Sequence, residues 1–400
     1  MRSRRSLLPF LVITLLLDAI GFGIILPVMP QLIMDVTGED LSRAAVYGGW
    51  LLFLYALVQF FCAPLMGNLS DRFGRRRVLL CSLLAFGLDY LLMGWAPTLG
   101  WLIAGRIIAG IASSTWAVAN ASIADTFPVE HRSKNFALLG AAFGGGFILG
   151  PVLGGVLGEL GPRVPFYATA GLALVNFTFG ALFFPETLTP DRRRAFSLAR
   201  ANPFGAFRQL RRYPAVTGLI VAWFFFLLAH HALPSTWSYF TMAKFSWSES
   251  QIGLSLGFIG VLMMLSQAWL IRVVLDAYGP VTTAVIGLCC AMLSFLGYAL
   301  SPQAWMVYVF LAIGAAQGFL TPAVQGLMSA RVPADAQGEL QGALGSVMSL
   351  SSIISPLVMT GLFGYFTGAT APFFFPGAPY LLSFGLCIVS LLLFMPQLRR

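Results

Sequence analysis

The sequence predicts an all-α membrane protein: twelve transmembrane helices in two pseudo-symmetric bundles of six, with both termini on the cytoplasmic side. Three observations carry that prediction. Of 400 residues, 58% are hydrophobic and 10% charged, and with a mean hydropathy of +0.83 too little polar surface remains to coat a water-soluble globule. The apolar residues gather into twelve segments, centred near residues 18, 57, 88, 110, 147, 174, 227, 261, 289, 314, 350 and 385, each supplying the roughly 20 residues that a span needs. Landmarks in the two halves also repeat at one offset.

The first segment follows Arg2, Arg4 and Arg5, as a signal peptide would. Its apolar run continues through Asp18 to Pro30 without a small-residue cleavage site, so it reads as a retained first helix. With both termini inside, the cytoplasmic segments hold twenty of the 24 Lys and Arg residues, and the outer loops hold only Arg43, Arg163 and Lys244. Gaining or losing one helix would invert that asymmetry, so the positive-inside rule supports an even number of spans. It also explains the net charge of +9. The basic residues are spread over seven short segments that meet anionic headgroups, a pattern that excludes nucleic acid as a partner and includes membrane lipid.

Asp71-Arg72-Phe73-Gly74 after the second segment is echoed by Asp276-Ala277-Tyr278-Gly279 after the eighth, and Pro128 and Pro151 by Pro333 and Pro356, all displaced by 205 residues. The chain is therefore expected to be a tandem repeat of six helices, of the kind that rocks around a midplane site. Residues 1–185 form the first bundle, 186–213 a cytoplasmic linker and 214–400 the second bundle. The linker carries seven arginines, and its residues 202–212 suit either a short amphipathic helix on the headgroups or a solvated tether. Cys62, Cys81, Cys289, Cys290 and Cys387 are odd in number and lie in apolar segments, which predicts buried small hydrophobes rather than disulfides or a metal site. No Ser-His-Asp spacing, metal-ligand cluster or phosphate loop appears, so neither an enzyme nor a cofactor is expected.

The charges inside the spans are the candidate chemistry. Asp18 and Asp89 each lie eleven residues, about 17 Å, into their helices, and Arg106 reaches about the same depth from the other side. Charges at that depth read as functional. Burial raises a carboxyl pKa and a guanidinium beside it lowers it again, so an Asp near an Arg is poised to exchange a proton; the alternative is a permanent bridge. One Arg does not neutralise two acids, which favours the proton reading. His230 and His231 lie deep in the seventh segment, where they either take part in proton movement or bind a polar neighbour. Gln59, Asn120, Gln267, Gln317 and Gln325 are candidate hydrogen-bonders to a substrate, and interhelical bonding is their other use.

The loop Gly67-Asn68-Leu69-Ser70-Asp71-Arg72-Phe73-Gly74-Arg75-Arg76-Arg77 carries five charges between two apolar runs. Its pattern resembles the loop between helices 2 and 3 of major facilitator superfamily transporters, and Gly146 to Gly155 resembles the helix 5 signature of drug/proton antiporters in that superfamily. Leu17-Asp18-Ala19-Ile20-Gly21-Phe22-Gly23, Leu54 to Phe60, Asp89-Tyr90 and Gly105-Arg106-Ile107-Ile108-Ala109-Gly110 are similar to tetracycline efflux pumps, as are Trp247, Ile252-Gly253, Gln267, Gln337-Gly338 and Leu340-Gln341-Gly342 in the second half.

The resemblance implies a proton-coupled efflux antiporter of the bacterial cytoplasmic (inner) membrane. It would act as a monomer by alternating access, exporting tetracycline-like or other amphipathic drugs. Proton coupling would fall to Asp18, Asp89 and Arg106, and the depth of His230 in the seventh segment, rather than the resemblance, adds it as a further candidate. A conformational gate would comprise Gly67, Asp71, Arg72, Gly74, Arg75, Asp125, Gly150, Pro151 and Gly154, with Asp71 as a latch toward the start of helix 11 near Gln337. A plainer role for Arg75, Arg76 and Arg77 is lipid anchoring. Met263 and Ala291 replace a helix 8 His and a helix 9 Asp of the pumps, which favours the broader class of amphipathic compounds over tetracycline itself. The alternative function is a proton-linked transporter of a small metabolite.

Overall fold

A computed structural model describes residues 2–113, 115–197, 214–333 and 336–398. Among the described residues every regular element is helical. The chain runs through α1 (Arg2–Ile24), α2 (Met29–Thr37), α3 (Leu41–Phe73), α4 (Arg75–Trp95), α5 (Leu99–Ala112), α6 (Thr115–Thr126), α7 (Val129–Gly158) and α8 (Val164–Phe183). It continues as α9 (Pro214–His230), α10 (Ala232–Phe245), α11 (Glu249–Leu265), α12 (Ile271–Leu300), α13 (Ala304–Gly314), α14 (Leu320–Ser329), α15 (Gln337–Thr367) and α16 (Ala378–Phe394). Ten stretches among the described residues are long and apolar enough to cross a bilayer, and Ala378–Phe394 is a shorter apolar helix. This is a multi-pass membrane protein.

The charged loop is shorter than its sequence suggests. Helix α3 continues through Asp71 and Arg72 to Phe73, and the reversal into α4 is made by Gly74 alone, at φ 99°, a conformation that costs glycine little and other residues much. Gly67 lies inside α3, where an added Cβ meets nothing within 4 Å; the turn does not use it. Gly279, displaced by 205 residues, has φ 75° and interrupts the 52-residue stretch Glu249–Leu300. The helices after these two glycines end alike as well. Arg163 Nη1 donates to Gly94 O at 2.9 Å and Lys244 Nζ to Ala299 O at 2.9 Å, each placing a cation on C-terminal carbonyls. Residues 198–213 of the expected linker, and with them the amphipathic helix considered at 202–212, lie outside the described residues.

By internal packing the chain divides into two compact units. The first comprises Met1–Gly38, Leu54–Pro203 and Ser248–Leu254, the second Glu39–Phe53, Phe204–Trp247 and Ser255–Arg400. In the first, Leu7, Phe10, Leu11 and Leu15 of α1 bury against Val78, Leu79 and Leu83 of α4, Val118 and Ile123 of α6 and Phe184. On another side of α1, the i, i+4 row Gly146, Gly150 and Gly154 of α7 lets two backbones touch. A Cβ at Gly150 would lie 2.7 Å from Ile20 O, and one at Gly154 would lie 2.9 Å from Ile24 Cα. Backbone does not yield as a side-chain tip does. Gly154→Ala is therefore expected to destabilise the protein by about 1–3 kcal/mol, read as a lower thermal midpoint in detergent. Gly140→Ala on the same helix, where a Cβ meets nothing within 4 Å, is the control that should not.

The second unit is held by a buried aromatic cluster. Trp237 packs edge-on to Tyr298 and Tyr380, at centroid distances of 5.3 and 6.2 Å, and its Nε1 donates to Ser255 Oγ at 2.9 Å. Three serines donate across to carbonyls of α9: Ser355 to Leu228 O, Ser383 to Ala229 O and Ser390 to Ala222 O. Contrary to expectation, only Cys387 is buried, while Cys81 and Cys289 are exposed. A thiol is apolar enough to sit on the outer face of a span, so an apolar segment alone did not decide burial.

Candidate functional site

The charges inside the first unit's spans converge. Asp89 on α4 and Arg106 on α5 are buried, at 1% and 5% exposure, and Arg106 Nη2 donates to Asp89 Oδ2 at 2.9 Å. Gly105 makes the pairing possible, because a Cβ there would press on Asp89 Oδ1 at 2.5 Å. The guanidinium also lies over the Tyr55 ring, 5.9 Å from its centroid, a cation–π contact that offsets part of its lost hydration. Tyr55 and Tyr90 are each within electrostatic reach of Asp18, Asp89 and Arg106, which places all three charges in one site. Gln59 hydrogen-bonds to Tyr55 at its margin.

The site is unevenly satisfied. Among the described residues Arg106 pairs with Asp89 and not with Asp18. Asp89 Oδ1 and Arg106 Nε are buried without hydrogen-bond partners among the described residues, while the Thr115 hydroxyl faces the Asp18 carboxyl. Buried polar groups are usually bonded, and orphans cluster where chemistry happens. A proton arriving on Asp89 Oδ1 leaves the hydrogen bond at Oδ2 in place, so the carboxyl can change charge without dismantling its contact to Arg106.

A second cluster surrounds the Gly74 turn. Arg75 is held by both neighbouring acids: its Nη1 lies 2.5 Å from Asp71 Oδ1 and its Nε 2.9 Å from Asp125 Oδ2, while Nη1 also donates to Ser70 Oγ at 2.6 Å. Its backbone N–H, at the start of α4, donates to Glu186 Oε1 at 2.8 Å, and Glu186 also accepts from the N–H groups of Thr187 and Leu188. A carboxylate at a helix N-terminus complements the helix dipole. Gly74 has no Cβ to collide with Glu186. Lipid anchoring therefore does not account for Arg75, which is only 9% exposed. Arg76 Nη2 donates to Ala181 O at 2.6 Å. Arg72 stays outside the network and lies over the Phe73 ring. Gly150, Pro151 and Gly154 stand apart from this cluster, on the α1–α7 contact, and a Cβ at Gly253 of α11 would collide with Pro151 O.

Gly74→Ala and Gly279→Ala test these contacts together. Both force alanine into a positive-φ, extended-ψ conformation that is essentially glycine's alone, at about 1–3 kcal/mol. Only at Gly74 does the new methyl also displace Glu186, since nothing lies within 4 Å of a Cβ at Gly279. Gly74→Ala is expected to lower the thermal midpoint further.

The remaining candidates lie elsewhere. Asn120 Nδ2 donates to Trp116 O at 2.8 Å, one turn back along α6, which commits one of its two amide donors locally. His230 sits in the second unit with Gln317, its Nδ1 3.2 Å from Gln317 Oε1. Gln267 is exposed and Gln325 half-buried. Among the described residues no group of three His, Cys, Asp or Glu is arranged to hold a metal.

The profile of the Major Facilitator Superfamily matches residues 11–356 and 237–399. The chain belongs to the major facilitator superfamily. Its relatives within the superfamily include the tetracycline resistance protein, class C, of Escherichia coli, 38% identical over 400 residues that cover 100% of this chain and 98% of the relative. The class B protein of Escherichia coli is 36% identical over 89% of this chain and 88% of its own. Among solved structures, the human organic anion transporter MFSD10 (TETRAN) superposes with a TM-score of 0.71 at 23% identity, covering 98% of this chain and 99% of its own. The nucleoside transporter NupG reaches a TM-score of 0.78 at 15% identity, covering 99% and 100%. These superpositions establish the superfamily fold.

Sequence reasoning missed Glu186, Tyr55 and Tyr90. Glu186 carried a weak signal, as an acid directly after the sixth apolar run in a segment otherwise rich in arginine. The two tyrosines fall within stretches that resemble tetracycline efflux pumps, but nothing singled out their rings, since aromatics abound in membrane helices of every kind.

Proposed function

We propose that this superfamily member is a proton-coupled efflux antiporter that exports tetracycline-like or other amphipathic drugs across a bacterial inner membrane by alternating access. The observation that carries the reading is the buried Asp89–Arg106 pair with half-buried Asp18 near it: two acids and one base within spans, with unfilled hydrogen-bonding capacity on the pair. The full-length similarity to tetracycline resistance proteins supports the cargo class. Glu249–Leu300 is read as two crossings meeting at Gly279, and with Ala378–Phe394 this makes twelve. An even count agrees with cytoplasmic termini. Proton binding at Asp18 and Asp89 is linked to movement of the bundles, and the Asp71–Arg75–Asp125 network gates the cytoplasmic side. The protein works as a monomer without a cofactor.

Proteoliposomes with an imposed proton gradient test this reading. Tetracycline and lipophilic cations are expected to trigger proton release from the wild type and none from Asp18→Asn. Silence toward every drug, with a response to one small polar solute, would move the protein to metabolite transport.

A further inference from the structure

Three stretches of the second unit depart from α-helical geometry, and the departures meet. The helical run breaks between α9 and α10 at His231, where Pro234 withholds the N–H that His230 O would otherwise accept. Helices α11 and α12 are joined by a π-helical turn, Ser266–Leu270, and α13 and α14 by a 3-10 turn, Ala315–Phe319. Ser266 Oγ in the first turn donates to Ala315 O in the second at 3.1 Å, and Gln317 in the second bonds to His230 at the break. A Cβ built at Gly318 would lie 3.5 Å from Gln267 Nε2, at ordinary contact distance, which sets the Gln267 amide against the second turn. π-Turns recur at functional sites, and irregular backbone within a membrane is tolerated where it lines a cavity.

The side chains at this junction are not equally committed. Gln317 is 3% exposed and acts as a fixed strut. Gln267 is exposed although it lies inside an apolar stretch; an amide is poorly matched to hydrocarbon, so that exposed surface fronts water rather than lipid tails. His230 is half-buried and stacks on Phe226 at a centroid distance of 5.7 Å. Because a carbonyl oxygen only accepts, Gln317 Oε1 holds the proton of a neutral imidazole on Nδ1 and leaves Nε2 as an acceptor. Among the described residues none of the three hydrogen-bonds to a charged group.

We infer that His230 and Gln267, with Gln317 positioning the imidazole, form an uncharged hydrogen-bonding subsite that takes a hydroxyl or amide N–H of the exported compound. The inference rests on the drug-export reading and moves His230 from proton handling to cargo selection. The subsite distinguishes compounds by hydrogen-bonding groups, not by charge.

The test compares dissociation constants of the full-length protein in detergent for tetracycline, which carries hydroxyl and amide groups, and tetraphenylphosphonium, which carries neither. His230→Phe keeps the ring stacked on Phe226 and removes both nitrogens. Gln317→Leu frees the imidazole, and Gln267→Leu, at an exposed position, leaves folding unthreatened. Each is expected to weaken tetracycline binding about tenfold, the value of one good hydrogen bond, with tetraphenylphosphonium unchanged and much of the loss recovered in His230→Gln. Unchanged tetracycline affinity in all three variants, or equal losses for both compounds, overturns the subsite while leaving drug export standing. A wild type that binds neither compound and releases no proton toward them overturns the drug-export reading, and the subsite with it.

Discussion

Arg75→Ala is expected to abolish transport and to destabilise the protein by about 3 kcal/mol, the low end for removing one partner of a buried ion pair. Arg75 is 9% exposed and is the one cation paired with Asp71 and Asp125 among the described residues. Its removal leaves two carboxylates facing each other across the Gly74 turn, with Ser70 Oγ losing its donor. Arg72→Ala and Arg77→Ala, at exposed positions, should shift the thermal midpoint little. Arg75→Lys keeps the charge but lacks the fork that reaches two acids through Nη1 and Nε, so it should recover less than half of the lost stability. Adding Asp71→Asn and Asp125→Asn to Arg75→Ala relieves the repulsion, and the triple variant should regain stability while remaining inactive. Recovery of transport in that triple variant would show that the network is structural only.

How much of this was legible beforehand depends on the distance between partners. Asp71 and Arg75 are only four apart, yet the sequence directed Asp71 toward the start of helix 11 near Gln337 and Arg75 toward gating or lipid anchoring, not toward each other. Asp125 and Glu186 lie 50 and 111 residues from Arg75, and no local pattern announces contacts of that length. The extent of α3 was misjudged for a related reason. Five charges in eleven residues read as a loop, but an exposed helical turn accommodates charge as well as a loop does, and Gly74 alone turns the chain.

In the membrane sites, counting residues along helices brought Asp18, Asp89 and Arg106 to one depth, because rise per residue is fixed. Depth did not say which acid Arg106 takes; the structure pairs it with Asp89, which approaches α5 closely at Gly105. His230 shows a different limit. Composition marks a histidine as titratable, whereas its partner Gln317 lies 87 positions away, beside two non-α turns with no sequence signature of their own.

The second large effect is expected at the buried pair. Arg106→Ala strands the Asp89 carboxylate at 1% exposure with no cation bonded to it, and should destabilise by about 3–5 kcal/mol. Asp89→Asn removes the charge and keeps the side chain's shape and one acceptor for Arg106 Nη2, so it should fold and bind cargo yet fail to couple a proton gradient to transport. The double variant Arg106→Leu/Asp89→Leu removes both charges and their desolvation together, and its thermal midpoint should exceed that of Arg106→Ala. Thermal midpoints, cargo affinity and gradient-driven uptake, measured on all three, separate holding the helices together from moving protons. If Asp89→Asn transports as fast as the wild type under a proton gradient, the pair is a bridge between α4 and α5, and coupling rests on Asp18 alone. If Asp89→Asn loses gradient-driven uptake but still exchanges cargo down its own concentration gradient, the carboxyl is needed for the proton and not for the conformational change, as its unbonded Oδ1 suggests.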